Sequence, residues 1–229
     1  MKLALARPPL ALLARTPRAL VSITGWTLLG VAFAATARWR GFAHGADQVL
    51  VGAFGALVLP LLTYAATGAA LGGKSLPAAA AATVAFGAAP RSAAGATVAV
   101  GMAASMLFSA LFAPVVALIA HGANDPPLAR DALATAYAAA LGGAAYGGWF
   151  FVGASFGKRG GGRPMLLALD WILGASGGFA AVITPRAHLR NMLGGAAPLG
   201  MSGRASSASL VIIAVLCAFF AVRRAQRTR

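Results

Sequence analysis

Residues Val49 to Leu71 read VLVGAFGALVLPLLTYAATGAAL, without one charged side chain. Crossing the ~30 Å hydrocarbon core of a bilayer takes about 20 predominantly apolar residues in a helix, and this run supplies them. Comparable runs follow one another from Ala19 to Val222, with the charges gathered between them. The fold class read from this pattern is all-α: a polytopic membrane protein whose chemistry must lie between helices packed in lipid.

Composition points the same way. Formal net charge is +15 and 59% of residues are hydrophobic, yet only 10% are charged, against roughly 25% in soluble domains. There is no Glu, and the only acids are Asp47, Asp125, Asp131 and Asp170. Chemistry by paired carboxylates needs two close acids, so the scarcity removes most of it. The Lys and Arg stand in short loops and tails, which fits the orientation rule for membrane proteins and not a phosphate-binding stripe; no nucleic-acid partner is expected. Cys217 is the single cysteine, which excludes an intrachain disulfide and a Cys-based metal cluster. His44, His121 and His188 are scattered along the chain, so no zinc or haem constellation, and no cofactor of the chain's own, is expected.

Six spans are predicted: about Ala19 to Ala37, Val49 to Leu71 (with Pro60), Ala94 to Ala120 (with Pro114), Leu133 to Phe156, Met165 to Thr184 and Ser206 to Val222. Residues 1–18 form a basic lead-in, broken by Pro8, Pro9 and Pro17, that is expected to lie at the interface with Leu10, Leu12 and Leu13 toward lipid. Residues 19–222 form the membrane domain and residues 223–229 a basic tail. Counted over alternate sides, thirteen Lys and Arg fall with the termini and six on the other side, the six including Arg186 and Arg190. The larger count should be cytoplasmic, placing both termini inside the cell, in the inner membrane of a bacterium.

Two connections carry structure of their own. Pro77 to Ala89 is Ala-rich and closed by Pro90, which predicts a short surface helix with Pro at its start. Pro185 to Ala205 is rich in Gly and small residues and is expected to cap the outer end of the bundle, with a short helix near Ala187 to Leu193.

Several motifs invite chemistry. Gly68 to Ser75, GAALGGKS, satisfies the phosphate-loop pattern, but that loop needs a strand before it and a helix starting at the Lys. Here a membrane span precedes it and Pro77 follows, so the glycines are expected simply to end the second span. Gly174 to Gly177, GASG, resembles the serine motif of rhomboid-type intramembrane proteases, with Ser176 as the nucleophile. Such a serine needs a His base within reach, and the last span has none. Asp170 is the one acid inside an apolar run; close to the inner interface it is expected to pair with Arg163 or Lys158. Gly143, Gly147, Gly174 and Gly177 are read as helix-packing positions, because small residues let membrane helices approach closely.

The layout then resembles the membrane subunits of type-2 ATP-binding-cassette transporters. The best local piece is LVLPLLTYAATGAALGGKSLPAAAAATVAFGAAPRSAAGATVAV, Leu57 to Val100. The resemblance implies that the inner segment is a coupling-type helix and that Phe86, Gly87, Pro90 and Arg91 dock a cytoplasmic ATPase subunit, which holds the ATP. It implies a second permease subunit beside this one, surrounding lipid, and transport, in the direction of export, without catalysis by this chain. A rhomboid-like serine protease and a structural or assembly subunit of a larger membrane complex are the alternatives.

Overall fold

The computed structural model describes residues 3–157 and 160–227, and the described residues form helices and turns without a strand. The helices are α1 (Arg7–Arg15), α2 (Pro17–Trp39), α3 (Gly45–Ala70), α4 (Leu76–Ala85), α5 (Pro90–Ala120), α6 (Leu128–Ala154), α7 (Gly162–Gly174), α8 (Pro185–Met192) and α9 (Gly203–Arg227). Four of them, α2, α3, α5 and α9, are long and apolar enough to cross a membrane. The outward faces of α2, α5 and α9 carry Val21, Leu28, Leu107, Leu111, Ile212, Val215 and Phe220, all exposed. Contiguous apolar surface on this scale needs a non-aqueous partner.

The centre of the bundle is α6, which touches α3, α5, α7, α8 and α9. It is 27 residues long and interrupts its apolar residues with Gly and Tyr, a composition suited to contact with protein on most sides. Tyr146, Phe150 and Phe151 are fully buried. Its glycines set the helix distances. A Cβ at Gly143 would stand 2.6 Å from the Ser105 carbonyl oxygen of α5, one at Gly147 would stand 3.2 Å from the Cα of Met102, and one at Gly148 would stand 3.0 Å from the Ala214 carbonyl of α9.

Within α3, Leu50–Val58 is wound as a π-helix. Pro60 lies just beyond; it lacks an N–H and its ring presses on the preceding turn, and the wider winding absorbs that conflict. The turn after α3 contains the GAALGGKS stretch. Gly72 donates to Ala69 and Gly73 to Gly68, with φ of 57° and 73°, the paired bonds of a Schellman helix ending. The segment closes a helix and has no strand before it. From Ser75 the chain enters α4, whose Pro77 lies in the first turn, and α4 ends at Phe86 and Gly87, the latter at φ 86°.

The expected fifth span is not one helix. Helix α7 stops after 13 residues, about 20 Å and short of a bilayer core. Gly174, Gly177 and Gly178 withdraw the side chains that would favour continuing it. A single 3₁₀ turn, Phe179–Ile183, leads to α8. Gly177 sits exposed in this break, where an added Cβ would meet nothing within 4 Å, and its carbonyl accepts the Leu199 N–H at 3.0 Å.

The Gly143 contact is with backbone, which cannot step aside. Gly143→Leu should force α5 and α6 apart and destabilise the fold by about 1–3 kcal/mol, whereas Gly177→Ala should change stability by less than about 0.5 kcal/mol. Thermal unfolding in detergent, followed by tryptophan fluorescence, checks both.

Candidate functional site

Helix α7 runs antiparallel to α6 in a fixed register. Gly153 faces the Arg163 backbone, at 2.8 Å from a would-be Cβ. One turn on, Trp149 Nε1 donates to the Leu166 carbonyl at 3.0 Å. A further turn on, the Tyr146 hydroxyl donates to Asp170 Oδ2 at 2.7 Å. Positions 146, 149 and 153 share one face of α6, and 163, 166 and 170 share one face of α7.

That register delivers Asp170 to the break. Its side chain is wholly buried, eight residues into α7 and so about 12 Å along it. Its Oδ1 accepts the backbone N–H of Arg186 at 3.1 Å, one of the donors that the first turn of α8 leaves unpaired. In return α8 supplies the donors that the end of α7 lacks. Arg186 Nη1 donates to the Trp171 carbonyl at 3.0 Å. Arg190 donates through Nη1 to Ala175 at 2.8 Å, through Nη2 to Ser176 at 3.0 Å, and through Nε to Ala196 at 2.9 Å. Each half-helix is capped by charges of the other, with the signs the helix dipoles favour: carboxylate at an N-terminus, guanidinium at a C-terminus.

The arrangement corrects the expected partners of Asp170. It is paired with Tyr146 and the α8 backbone and not with Arg163, whose guanidinium lies over the Tyr64 ring at 4.8 Å and packs against Gly68. Lys158, the other expected partner, lies outside the described residues. Arg186 and Arg190, read from the sequence as ordinary loop charges, are half-buried caps at the break. Gly174 permits the junction: a Cβ there would meet the Arg186 side chain at 2.7 Å and the Thr184 hydroxyl at 2.8 Å. The signal for these residues in the sequence was the matched spacing on 146–149–153 and 163–166–170, together with an i, i+4 pair of arginines after Pro185.

A second buried network ties α8 to α9. His188 Nε2 lies 2.7 Å from the Val182 carbonyl, an acceptor only, so that nitrogen carries the proton and Nδ1 accepts from the Ser206 hydroxyl at 3.3 Å. Asn191 Nδ2 donates to Ser206 Oγ at 2.8 Å and to the Met201 carbonyl at 2.9 Å. Ser176 is not in this network. Its hydroxyl donates to the Leu173 carbonyl at 2.8 Å, and the geometry does not bring it together with His188.

In charge the break holds one acid and two guanidinia. Around it the backbone from Ala175 to Ala180 is exposed. Irregular backbone at membrane depth requires cover by protein or contact with water. At the far end of the bundle from α8, Phe86 is 92% exposed, and Gly87, Pro90 and Arg91 are exposed beside it. Comparison of the chain with protein-family models, with curated proteins and with solved structures finds no match.

Removing one partner of the Tyr146–Asp170 pair strands the other. Asp170→Leu should cost about 2–4 kcal/mol, since it orphans the Tyr146 hydroxyl and the α8 N–H together. Tyr146→Phe should cost about 1–2 kcal/mol. Unfolding midpoints of the double variant should show less than the sum, because the two residues act on one interaction.

Proposed function

We infer that the chain is the permease subunit of a type-2 ATP-binding-cassette transporter, working beside a second permease copy or relative and driven by separate cytoplasmic ATPases. In this reading six segments cross the membrane: α2, α3, α5, α6, the α7–α8 pair as a broken fifth, and α9. Helices α7 and α8 together supply about 32 Å of helix, enough for one crossing. Lys74, Arg91, Arg163, Arg223 and Arg224 then lie on the cytoplasmic side, with both termini, in a bacterial plasma membrane.

The observation that carries the reading is α4. This short helix is anchored to the bundle by buried Leu76 and Ala80 and ends in a bare Phe86. Phe86, Gly87, Pro90 and Arg91 form one exposed ridge where α4 turns into α5. A bulky aromatic left in the open beside a cation is a common anchor for a protein partner. A push on that ridge passes directly to α5 and from there to α6, since those helices touch in sequence. Alternating access needs a bundle with two arrangements biased by the partner, and the hydrogen-bonded break in the fifth segment is a place where two arrangements exchange without unpairing a long helix. Export follows from the resemblance of the layout.

The test is mild-detergent purification of the tagged full-length chain from its native membrane, with identification of copurifying proteins. An ATPase subunit should copurify, and Phe86→Asp or Arg91→Glu should lower its recovery at least about tenfold, equivalent to about 1.4 kcal/mol, without moving the permease's own unfolding midpoint. Copurification of a large assembly without an ATPase, or labelling of Ser176 by a phosphonate probe, would replace this reading with the assembly subunit or the protease.

A further inference from the structure

Three of the four acids in this chain of net charge +15 meet at one place. Asp47 begins α3, Asp125 lies in the loop between α5 and α6, and Asp131 lies in the first turn of α6. His44 joins them: one ligand atom each from His44, Asp47 and Asp125 lie within 4.8 Å of one another.

The scaffold under these groups is rigid. Asp125 Oδ2 accepts the N–H of Ala46 at 2.8 Å and of Gly122 at 2.7 Å, and Asn124 N–H donates to the Ala43 carbonyl at 2.8 Å. The two loops approach so closely that a Cβ at Gly45 would collide with the Ala120 carbonyl, and one at Gly122 with that of Phe42. With Oδ2 used on the backbone, Asp125 Oδ1 is left buried without a hydrogen-bond partner.

A second observation is independent of that trio. Asp131 is only 8% exposed, and its Oδ2 is buried with no partner. It lines, with Asp47, a small cavity of about 150 Å³ whose wall includes Thr135, Leu193 and Gly194. Thr135 serves the same carboxylate, yet a buried carboxylate oxygen left without a partner is costly unless a cation compensates it. The guanidinium bonded nearby does not: Arg38 Nη1 donates to the main-chain carbonyl of His121 at 2.6 Å.

We propose that His44, Asp47 and Asp125, with Asp131 behind them, bind a divalent transition-metal ion such as Zn²⁺ or Mn²⁺. One imidazole with carboxylate oxygens is a borderline N/O donor set, suited to these ions and less so to soft, thiolate-seeking ones. Ligand atoms around such an ion at about 2.1 Å lie about 3–4 Å apart, so a small rotation of the exposed His44 closes the shell. Asp131, which shares a cavity with the ligand Asp47, then serves as an outer carboxylate for a water on the ion, the role such groups play at metal centres. The site is independent of the transport reading, because it draws on no residue of the α4 ridge or of the α7–α8 break.

The test uses the full-length chain in detergent, stripped with EDTA. Mn²⁺ is titrated while the EPR signal of the free ion is followed, and Zn²⁺ is added as competitor. The wild-type chain should take up one Mn²⁺, release it to Zn²⁺, and unfold at a higher temperature with either ion. His44→Ala and Asp47→Asn should each weaken uptake at least about tenfold, and Asp131→Asn by a smaller factor. Unfolding midpoints in EDTA establish that each variant is folded. The wild-type result stands without the variants: no uptake by the wild type, or uptake unchanged in the double variant His44→Ala/Asp47→Asn, overturns the proposal.

Discussion

Two half-helices meet at the α7–α8 break, and the backbone groups that their ends leave without helical partners are bonded there by side chains. The carbonyls of Trp171, Ala175 and Ser176 are served by Arg186 and Arg190, and the first N–H of α8 by Asp170. The exchange also settles where the charges sit. A lone carboxylate in the bundle would be expensive, and two lone guanidinia more so; set against opposite helix ends they offset one another and the helix partial charges.

This exchange depends on α6. Tyr146 holds Asp170 at the height of the break, and Trp149 and Gly153 hold α7 in register below it. The same helix meets α5 through Gly143 and Gly147 and α9 through Gly148, on other faces. Close backbone approach leaves these interfaces little freedom to slide, so a displacement of α5 carries α6 with it. In the proposed permease that is the route from the exposed ridge at Phe86 to the charged break: both are connected through one closely packed helix.

Four of the six expected spans, those of α2, α3, α5 and α9, were legible as long apolar helices because apolar length is a property of each segment alone. So were the short helix between Pro77 and Pro90, bounded by residues that act locally on the backbone, and a helix near residues 187–193. The break was not. Met165 to Thr184 is apolar enough to be read as one span, and the stop at Gly174 depends on competition: Gly174, Gly177 and Gly178 weaken the helix, and Arg186 and Arg190 satisfy the carbonyls that the stop exposes. Neither arginine is near Asp170 in the sequence, and only the register of α6 against α7 places them together. The assignment of Asp170 to Arg163 failed for the same reason, since two turns of a helix separate them while Tyr64 and Gly68 offer Arg163 a nearer niche. His44 and the acids around it were equally hidden, being brought together by two loops that close on Gly45 and Gly122.

The short helix α8 joins the two polar regions of the molecule. Its first turn receives Asp170 at the break, its middle is buried through Ala187, His188 and Leu189, and the residues that end it, Leu193 and Gly194, line the cavity shared by Asp47 and Asp131. Gly194, at φ 91°, and Gly195 end the helix by donating to Asn191 and Arg190, so the chain turns sharply there and α8 cannot lengthen to absorb a shift. Leu189 packs against Gly142 of α6, at 3.0 Å from a would-be Cβ, which fixes its middle as well. The eight residues of α8 are thus held at both ends and at the centre. The hydrogen bond that joins α8 to Asp170 is made by its backbone, the Arg186 N–H, and not by a side chain free to swing, so α8 physically spans the distance from Asp170 to the cavity of Asp47 and Asp131.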